Sequence, residues 1–348
     1  MLGEPTFRRW RIGVCGSSKG LPDAAVDLCR ALGRRLARVP DLVIVSGGTK
    51  QREGVSDEDL AADWHIISAA EAELAPDAVL DRIATMVRAD VTKTTSFGVG
   101  TRRYARGKTG EARRIQFIRS VDALIAVGGG GGTAQELALG FEQGIPTLPV
   151  PMFPGSAREF WQAYRAKLID ELRLSEAVGK RWESIRDLQD DVVEKLAGEM
   201  VDVLLECLPL RCFVITPFQP EFDALFDDVI EPAIGRAGGR ALRVDRAAVP
   251  GDVVRRIDDG IRTCDCAIAV LDGLRPNVIY EVGLAHGRGK PTILMRRRGE
   301  TGNDDDLPFD LATQHVLPYT SGDAGVAREL ERLITSTFAR RRAAHEML

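Results

Sequence analysis

Twice along its length the chain alternates short apolar runs with amphipathic segments, and this double alternation constrains the fold more than any other feature. Apolar runs separated by stretches of helical periodicity mark strand–helix–strand units, which build parallel sheets covered by helices on both faces. In the first half the strand-like runs are 11–15, Leu42–Ser46, Ala123–Val127 and Thr147–Val150, with helical segments at 24–37 and 133–143. Segments 156–175 and 182–207 also read as helical. In the latter, Ile185, Leu188, Val192 and Leu196 recur at the spacing of one buried stripe.

The pattern then restarts. A strand at 212–218 is followed by a helix at 221–237, a strand at 241–244 and a helix at 252–263. A strand at 266–271, a helix from about 277, a strand at 291–295, a polar loop at 299–306 and a helix at 325–340 complete it. The expected fold class is α/β, with two tandem, open, mostly parallel doubly wound sheets. A chain of 348 residues exceeds what one core usually holds. The boundary is placed near Leu208-Pro209, giving domains 1–208 and 209–348.

Composition narrows the function classes. A hydrophobic fraction of 44% and a charged fraction of 28% are ordinary for a globular protein. The net charge of −4 provides no broad positive field, so direct nucleic-acid binding is not expected. The runs Arg296-Arg297-Arg298 and Arg340-Arg341-Arg342 read as solvated surface. The six cysteines form no Cys-x-x-Cys pair and there are only four histidines, so no metal site is expected. Reduced thiols, the absence of an evident signal peptide and the lack of a bilayer-length apolar stretch point to a cytoplasmic protein with no membrane partner.

The chemistry-bearing motif of the first half is Gly128-Gly129-Gly130-Gly131-Gly132-Thr133, between a strand and a helix. Glycines there let the backbone approach a phosphate, and the helix N-terminus offers it free N–H groups. Gly16-Ser17-Ser18 after the first strand is a second phosphate-sized turn, and Arg113-Arg114 lie just upstream of the third. Thr133 and Glu136 also fit a capping box, in which both side chains serve only the helix end.

These residues resemble the SLOG superfamily, best known through the LOG-type cytokinin-activating phosphoribohydrolases. Cys15-Gly16-Ser17-Ser18, the pair Arg113-Arg114 and the stretch from Gly128 to Glu136 match its motifs over about residues 8–205. Gly128 stands where the family has proline and Arg114 where it has lysine, and an insertion follows Gly47-Gly48-Thr49. The resemblance implies a Rossmann-like domain whose nucleotide contacts are Gly16, Ser17, Ser18, Gly48, Arg113, Arg114, Gly129, Gly130, Gly132, Thr133 and Glu136. In LOG enzymes the arginine and glutamate cleave a ribose–base bond, a role that falls here to Arg113 and Glu136. Other members are receptors for cyclic or NAD-derived nucleotides in bacterial immunity, which implies a sensor domain.

In the second half, Pro276-Asn277 opens a helix beyond the end of a strand. Proline is favourable at the first helical position because its missing N–H is one of the unpaired ones. Asn277 and Glu281 lie four apart and share a face. Their place beyond the carboxyl end of a strand is where open α/β sheets bind ligands, and the helix N-terminus is expected to favour ionised Glu281. His286 reads as a partly buried helix residue, and Gly283 and Ala285 as small for packing. Asp265 and Asp272 flank the strand as possible ribose contacts.

Residues 211–320 resemble the TIR-like domains related to nucleoside 2-deoxyribosyltransferases. The matching pieces are Phe213-Val214-Ile215-Thr216-Pro217-Phe218, Arg243-Val244-Asp245, Cys264-Asp265-Cys266, the run from Pro276 to Ala285, Gly289-Lys290-Pro291, and Leu307-Pro308-Phe309-Asp310-Leu311 before Tyr319. The resemblance implies a flavodoxin-like domain that cleaves the N-glycosidic bond of NAD or a related nucleotide. Glu281 is then the catalytic carboxylate, with Asn277 and Asp245 orienting the ribose and Thr216, Pro217, Phe218, Asp272 and Tyr280 lining the substrate. It also implies a homo-oligomer, because sites of this type are completed by a neighbouring subunit.

The reading is a nucleotide-responsive bacterial effector of the anti-phage type, with no prosthetic group and with NAD as substrate. Two alternatives stand beside it: a nucleoside 5′-monophosphate phosphoribohydrolase acting through Arg113 and Glu136, and a non-enzymatic nucleotide-binding sensor or scaffold.

Overall fold

The computed structural model describes residues 9–17, 20–40, 42–47, 60–88, 99–185, 189–244, 253–299, 307–320 and 324–345. The chain divides into two compact units, Arg9–Leu208 and Pro209–Leu348.

The first unit runs β1 (Trp10–Gly16), α1 (Asp23–Arg38), β2 (Leu42–Ser46), α2 (Ala62–Glu73), α3 (Val79–Arg82), β3 (Ile83–Arg88), β4 (Thr101–Ala105), α4 (Gly110–Arg119), β5 (Ala123–Val127), α5 (Gly131–Glu142), β6 (Thr147–Val150), α6 (Ser156–Glu171), α7 (Glu176–Ser184) and α8 (Asp190–Glu206). Its six strands are ordered β4-β3-β2-β1-β5-β6, and every pairing is parallel. All five residues of β5 are buried, as a central strand covered on both faces requires. On one face Ile12, Val14, Ile44 and Ile125 pack with Leu28, Leu32, Ile66 and Trp161. On the other, Val45, Met86, Leu124 and Ala126 pack with Phe117, Ile118 and Leu137. Helices α1 and α2 touch closely at Gly33, where a Cβ would stand 2.1 Å from the Ile66 carbonyl oxygen.

The second unit runs β7 (Leu210–Ile215), α9 (Asp223–Leu225), α10 (Glu231–Arg236), β8 (Gly239–Leu242), α11 (Val253–Thr263), β9 (Cys266–Val270), α12 (Pro276–Gly287), β10 (Thr292–Arg297), α13 (Phe309–Ala312), β11 (Val316–Tyr319) and α14 (Ala324–His345). Its five parallel strands are ordered β11-β10-β9-β7-β8. Counted within the unit, this is the 2-1-3-4-5 order of flavodoxin-like sheets. The period of two is visible in the core. Cys212, Val214, Cys266 and Ile268 face Ile230, Ile234, Leu330 and Ile334, whereas Phe213, Ile215, Ala267 and Ala269 face Ile261, Val278, Val282 and Ala285. Both units are therefore doubly wound α/β sheets.

Seven elements escaped the sequence pattern: α2, α3, β3, β4, α4, α13 and β11. The β4 sequence Thr-Arg-Arg-Tyr-Ala is polar because it lies on an edge. β11 contains Pro318, which a sheet tolerates on an edge strand. The single helix expected at 182–207 is two. α7 ends before Ile185, whose backbone is extended, and α8 begins after Gln189. Its buried stripe is Val193, Leu196, Ala197, Met200, Val201 and Leu204, and Leu188 lies outside the described residues. The helix expected at 221–237 is interrupted by a π turn at Phe226–Ile230. Pro232 has no N–H to donate to Asp228, and the wider turn absorbs the missing bond. No helix among the described residues is long and apolar enough to cross a membrane.

Candidate functional site

Each sheet has one point where neighbouring strands send their following helices to opposite faces, and the crevice above that point is where such sheets bind ligands. In the first unit it lies between β1 and β5, whose ends pair Gly16 with Val127. A Cβ on Gly16 would fall 2.2 Å from the Val127 carbonyl oxygen and 2.7 Å from the Ala62 Cβ, so only glycine fits. The Ser17 N–H donates to the Val127 carbonyl at 3.0 Å, and the Ala62 N–H donates to the Ser17 carbonyl at 2.8 Å. These bonds tie the end of β1 to both β5 and α2.

The glycine run forms an anchored turn. Gly128 and Gly129 have φ values of +64° and +96°, and their carbonyls accept from the Ala157 and Ser156 N–H groups at the start of α6. Gly130 precedes α5 with no side chain capping the helix, and a Cβ on Gly130 or Gly131 would meet nothing within 4 Å. The first N–H groups of α5 thus face open space, the arrangement that holds anions. Thr133 is the third residue of α5, and its hydroxyl donates to the Gly16 carbonyl at 3.1 Å. The capping box is thereby excluded: Thr133 lies inside the helix and Glu136 turns to Arg113.

Arg113 and Arg114 are consecutive on α4 and diverge. The Arg113 Nη2 donates to the Glu136 Oε1 at 2.9 Å, and both side chains are largely buried. The pair lies against the end of β2, because a Cβ on Gly47 would stand 2.8 Å from the Arg113 Nη1. That Nη1 is buried with no hydrogen-bond partner among the described residues. The Arg114 Nη1 instead lies 3.9 Å from where a Gly132 Cβ would be, beside the first turn of α5.

Sequence reasoning missed Asp63 and Ser46. Asp63, in the first turn of α2, is buried and accepts from the Ser46 hydroxyl at 2.7 Å. Its only sequence signal is a lone acid entering the apolar stretch Ile66-Ile67-Ser68-Ala69-Ala70. Burial, opposed by Arg113 and reinforced by Asp63, raises the Glu136 carboxyl above the ordinary range. Burial and the Glu136 and Asp63 charges likewise raise the adjacent Cys15 thiol.

In the second unit the switch lies between β7 and β9. Thr216 and Pro217 follow β7 and are buried, and the Thr216 hydroxyl has no hydrogen-bond partner among the described residues. Phe218 is half exposed. The core-facing stripe of α12 is Val278, Glu281, Val282 and Ala285, so Glu281 occupies a position where the spacing calls for an apolar residue. It is 8% exposed and forms no hydrogen bond or ion pair with a described residue. Burial alone raises its carboxyl to about 7. The expectation that the helix N-terminus would favour the ionised form is corrected: Glu281 sits in the second turn, and desolvation outweighs the dipole.

The other residues expected at this site divide. Asn277, one turn before Glu281 on the same face, is exposed, and Tyr280 is turned outward at 66% exposure. Asp272 is buried with both oxygens engaged. It accepts from the Arg297 N–H at 2.9 Å and from the Tyr319 hydroxyl, and it pairs with the Arg297 guanidinium at 3.3 Å, tying β9 to β10 and β11. That network, and not a ribose, occupies the Asp272 side chain. Asp265 is at the amino end of β9, paired with Arg211 in a buried ion pair at 3.3 Å, so it sits at the wrong end of the sheet for a ribose contact. Gly283 is exposed and packs against nothing, whereas Ala285 is buried. Ser18, Gly48 and Asp245 lie outside the described residues. Among the described residues no group of three or more His, Cys, Asp or Glu side chains is placed to hold a metal ion.

No protein-family model matches the chain, and no curated protein matches it. Solved structures resemble it over its N-terminal part. The structural-genomics target TM1055 is 19% identical, covers 44% of this chain and 81% of its own, and gives a TM-score of 0.34. A molybdenum cofactor binding protein from the phototrophic bacterium Rippkaea orientalis is 22% identical, with coverages of 41% and 76% and a TM-score of 0.32. The molybdenum cofactor carrier protein from Chlamydomonas reinhardtii is 23% identical, with coverages of 46% and 87% and a TM-score of 0.33.

Proposed function

We propose that the C-terminal unit cleaves the N-glycosidic bond of NAD or a related nucleotide through Glu281. The N-terminal unit, in the same proposal, binds a nucleotide-derived signal at Gly16, Ser17, Gly129–Gly132 and Arg114. The observation that carries the first part is a buried carboxylate, with no partner among the described residues, on the core stripe of α12 that follows the switch-point strand β9. An apolar residue there would be more stable, and a carboxyl perturbed by desolvation at a ligand crevice marks a functional group.

The chemistry follows from that placement. When the C1′–N bond breaks, its electron pair goes to the pyridinium nitrogen and neutral nicotinamide leaves. The ribosyl cation left behind is stabilised or trapped by a carboxylate before water adds to C1′ and releases a proton. No strong general acid is needed for a cationic leaving group. The approaching positive charge also restores the ionised form of Glu281 that burial disfavours. Thr216 supplies a hydroxyl for the nucleotide, and Asn277 an amide for the ribose. In this reading the protein is a homo-oligomeric, nucleotide-triggered effector of bacterial defence.

A second reading is favoured by the buried Arg113–Glu136 pair, whose glutamate is likewise raised: a phosphoribohydrolase acting on nucleoside 5′-monophosphates in the N-terminal unit. Base release from NAD and from AMP, by wild type, Glu281→Gln and Glu136→Gln, separates the two. The first reading predicts that Glu281→Gln lowers release from NAD at least a hundredfold while Glu136→Gln leaves the basal reaction intact. Release from AMP that depends on Glu136 supports the second, and no release from either substrate refutes both.

A further inference from the structure

The net charge of −4 conceals a local reversal. Between 101 and 114 there are six basic residues, Arg102, Arg103, Arg106, Lys108, Arg113 and Arg114, against one acid, Glu111. Arg113 is paired with Glu136. The side chains of Arg102, Arg103, Arg106 and Lys108 form no ion pair or hydrogen bond with any described residue. Among the surface arginines of the unit, Arg34, Arg35, Arg38 and Arg181 each hold an acid, whereas Arg119 and Arg173 are exposed singly; between 102 and 108 four cations with no acidic partner among the described residues come together in the sequence.

These cations lie on β4 and on the loop that leads into α4. β4 is the outer strand of the sheet, so it exposes both faces and one backbone edge. Strand alternation places Arg102 with Tyr104 on one face and Arg103 on the other. Tyr104 is 59% exposed, a large aromatic surface left in water amid positive charge. The loop after β4 is clamped onto α4, because the Arg106 N–H donates to the Gln116 Oε1 at 2.8 Å and the Gln116 Nε2 donates to the Arg106 carbonyl at 2.6 Å. Gly107, at φ +115°, makes the bend. The clamp holds Arg106 and Lys108 at the carboxyl edge of the sheet and at the start of the helix that carries Arg114 to the phosphate cradle of α5.

We infer that the β4 edge and the loop into α4 form a binding surface for single-stranded nucleic acid. Four cations with no acidic partner among the described residues, on a clamped loop and an exposed edge strand, fit a chain of phosphates, and an exposed tyrosine among them fits a base face. An acidic peptide would use the charges but not the ring. The inference extends the nucleotide-binding reading of the N-terminal unit and rests on it. It replaces the expectation from net charge that nucleic acid is no partner.

The test uses the full chain with a fluorescein-labelled twelve-nucleotide oligothymidylate, measured by anisotropy across a salt series, and AMP, measured by calorimetry. The combined variant Arg103→Ala/Arg106→Ala/Lys108→Ala is expected to weaken oligonucleotide binding at least tenfold. It is also expected to reduce the slope of log affinity against log salt by about 2, at roughly 0.7 for each phosphate no longer neutralised. Tyr104→Ala weakens oligonucleotide binding about tenfold with the salt slope unchanged. AMP binding stays within twofold in both variants, and tryptophan fluorescence melts show that both remain folded. The inference is overturned if wild type binds AMP but not the oligonucleotide, if the combined variant binds the oligonucleotide as wild type does, or if polyglutamate competes as well as unlabelled oligothymidylate. Failure of both AMP and oligonucleotide to bind removes the nucleotide-binding reading as well.

Discussion

Replacing Glu281 with glutamine should stabilise the C-terminal unit at pH 8 and leave it nearly unchanged at pH 4.5. The carboxyl is moved from 4.5 to about 7 by burial alone. The folded state therefore holds its proton more tightly than the unfolded state does. Below about pH 4.5 the side chain is protonated in both states and burial costs little. As pH rises to 7 the unfolded chain ionises first, and stability falls until the folded carboxyl ionises too. At about 1.4 kcal/mol per unit the full penalty is about 3 kcal/mol above pH 7. Glutamine keeps the shape without the titration, so the variant should gain that amount at pH 8. With a urea slope of about 2 kcal/mol/M, this shifts the unfolding midpoint by roughly 1.5 M. Tryptophan fluorescence is blind to it, since Trp10, Trp64, Trp161 and Trp182 all lie in the first unit. Hydrogen exchange of peptides from β7 and β9 across urea is the suitable assay. Equal midpoint shifts at the two pH values, or destabilisation at pH 8, would refute the reasoning.

Three further outcomes follow from the geometry. Gly16→Ala places a methyl 2.2 Å from the Val127 carbonyl oxygen, and backbone displacement should cost the first unit about 3 kcal/mol or more, read directly by tryptophan fluorescence. Arg113→Met leaves Glu136 buried without its cation, so stability should fall by about 3 kcal/mol at pH 8 and by less as the pH is lowered, because the raised Glu136 carboxyl then takes up a proton; adding Glu136→Gln should recover most of the loss in the same melts. Asp272→Ala strands the Tyr319 hydroxyl and the Arg297 guanidinium inside the second sheet and should cost about 3 kcal/mol, seen as faster exchange in peptides from β10 and β11.

Legibility from sequence tracked burial. The central strands β5 and β9 are wholly apolar because helices cover both their faces, so their limits stand out in the sequence. The polar edge β4 and the proline-bearing edge β11 leave no such run. Gly16, Gly128 and Gly129 were legible because the contacts or backbone conformations there exclude a side chain. Asp63 was not, since its role depends on α2 folding back to the end of β1, a long-range contact with no local pattern. Asp272 misled for the opposite reason: its place after a central strand suits a ligand contact, and only the third dimension brings Arg297 and Tyr319 to it. The β4 cations were hidden by averaging charge over the whole chain.

The most direct test of the central claim is nicotinamide release from NAD by the purified chain, with and without an activating nucleotide, compared with its Glu281→Gln variant. The account predicts release by wild type and at least a hundredfold less by the variant, at pH values where the variant is the more stable protein. Release that survives Glu281→Gln would contradict it, because the carboxylate would then be doing no chemistry where burying it costs the fold most.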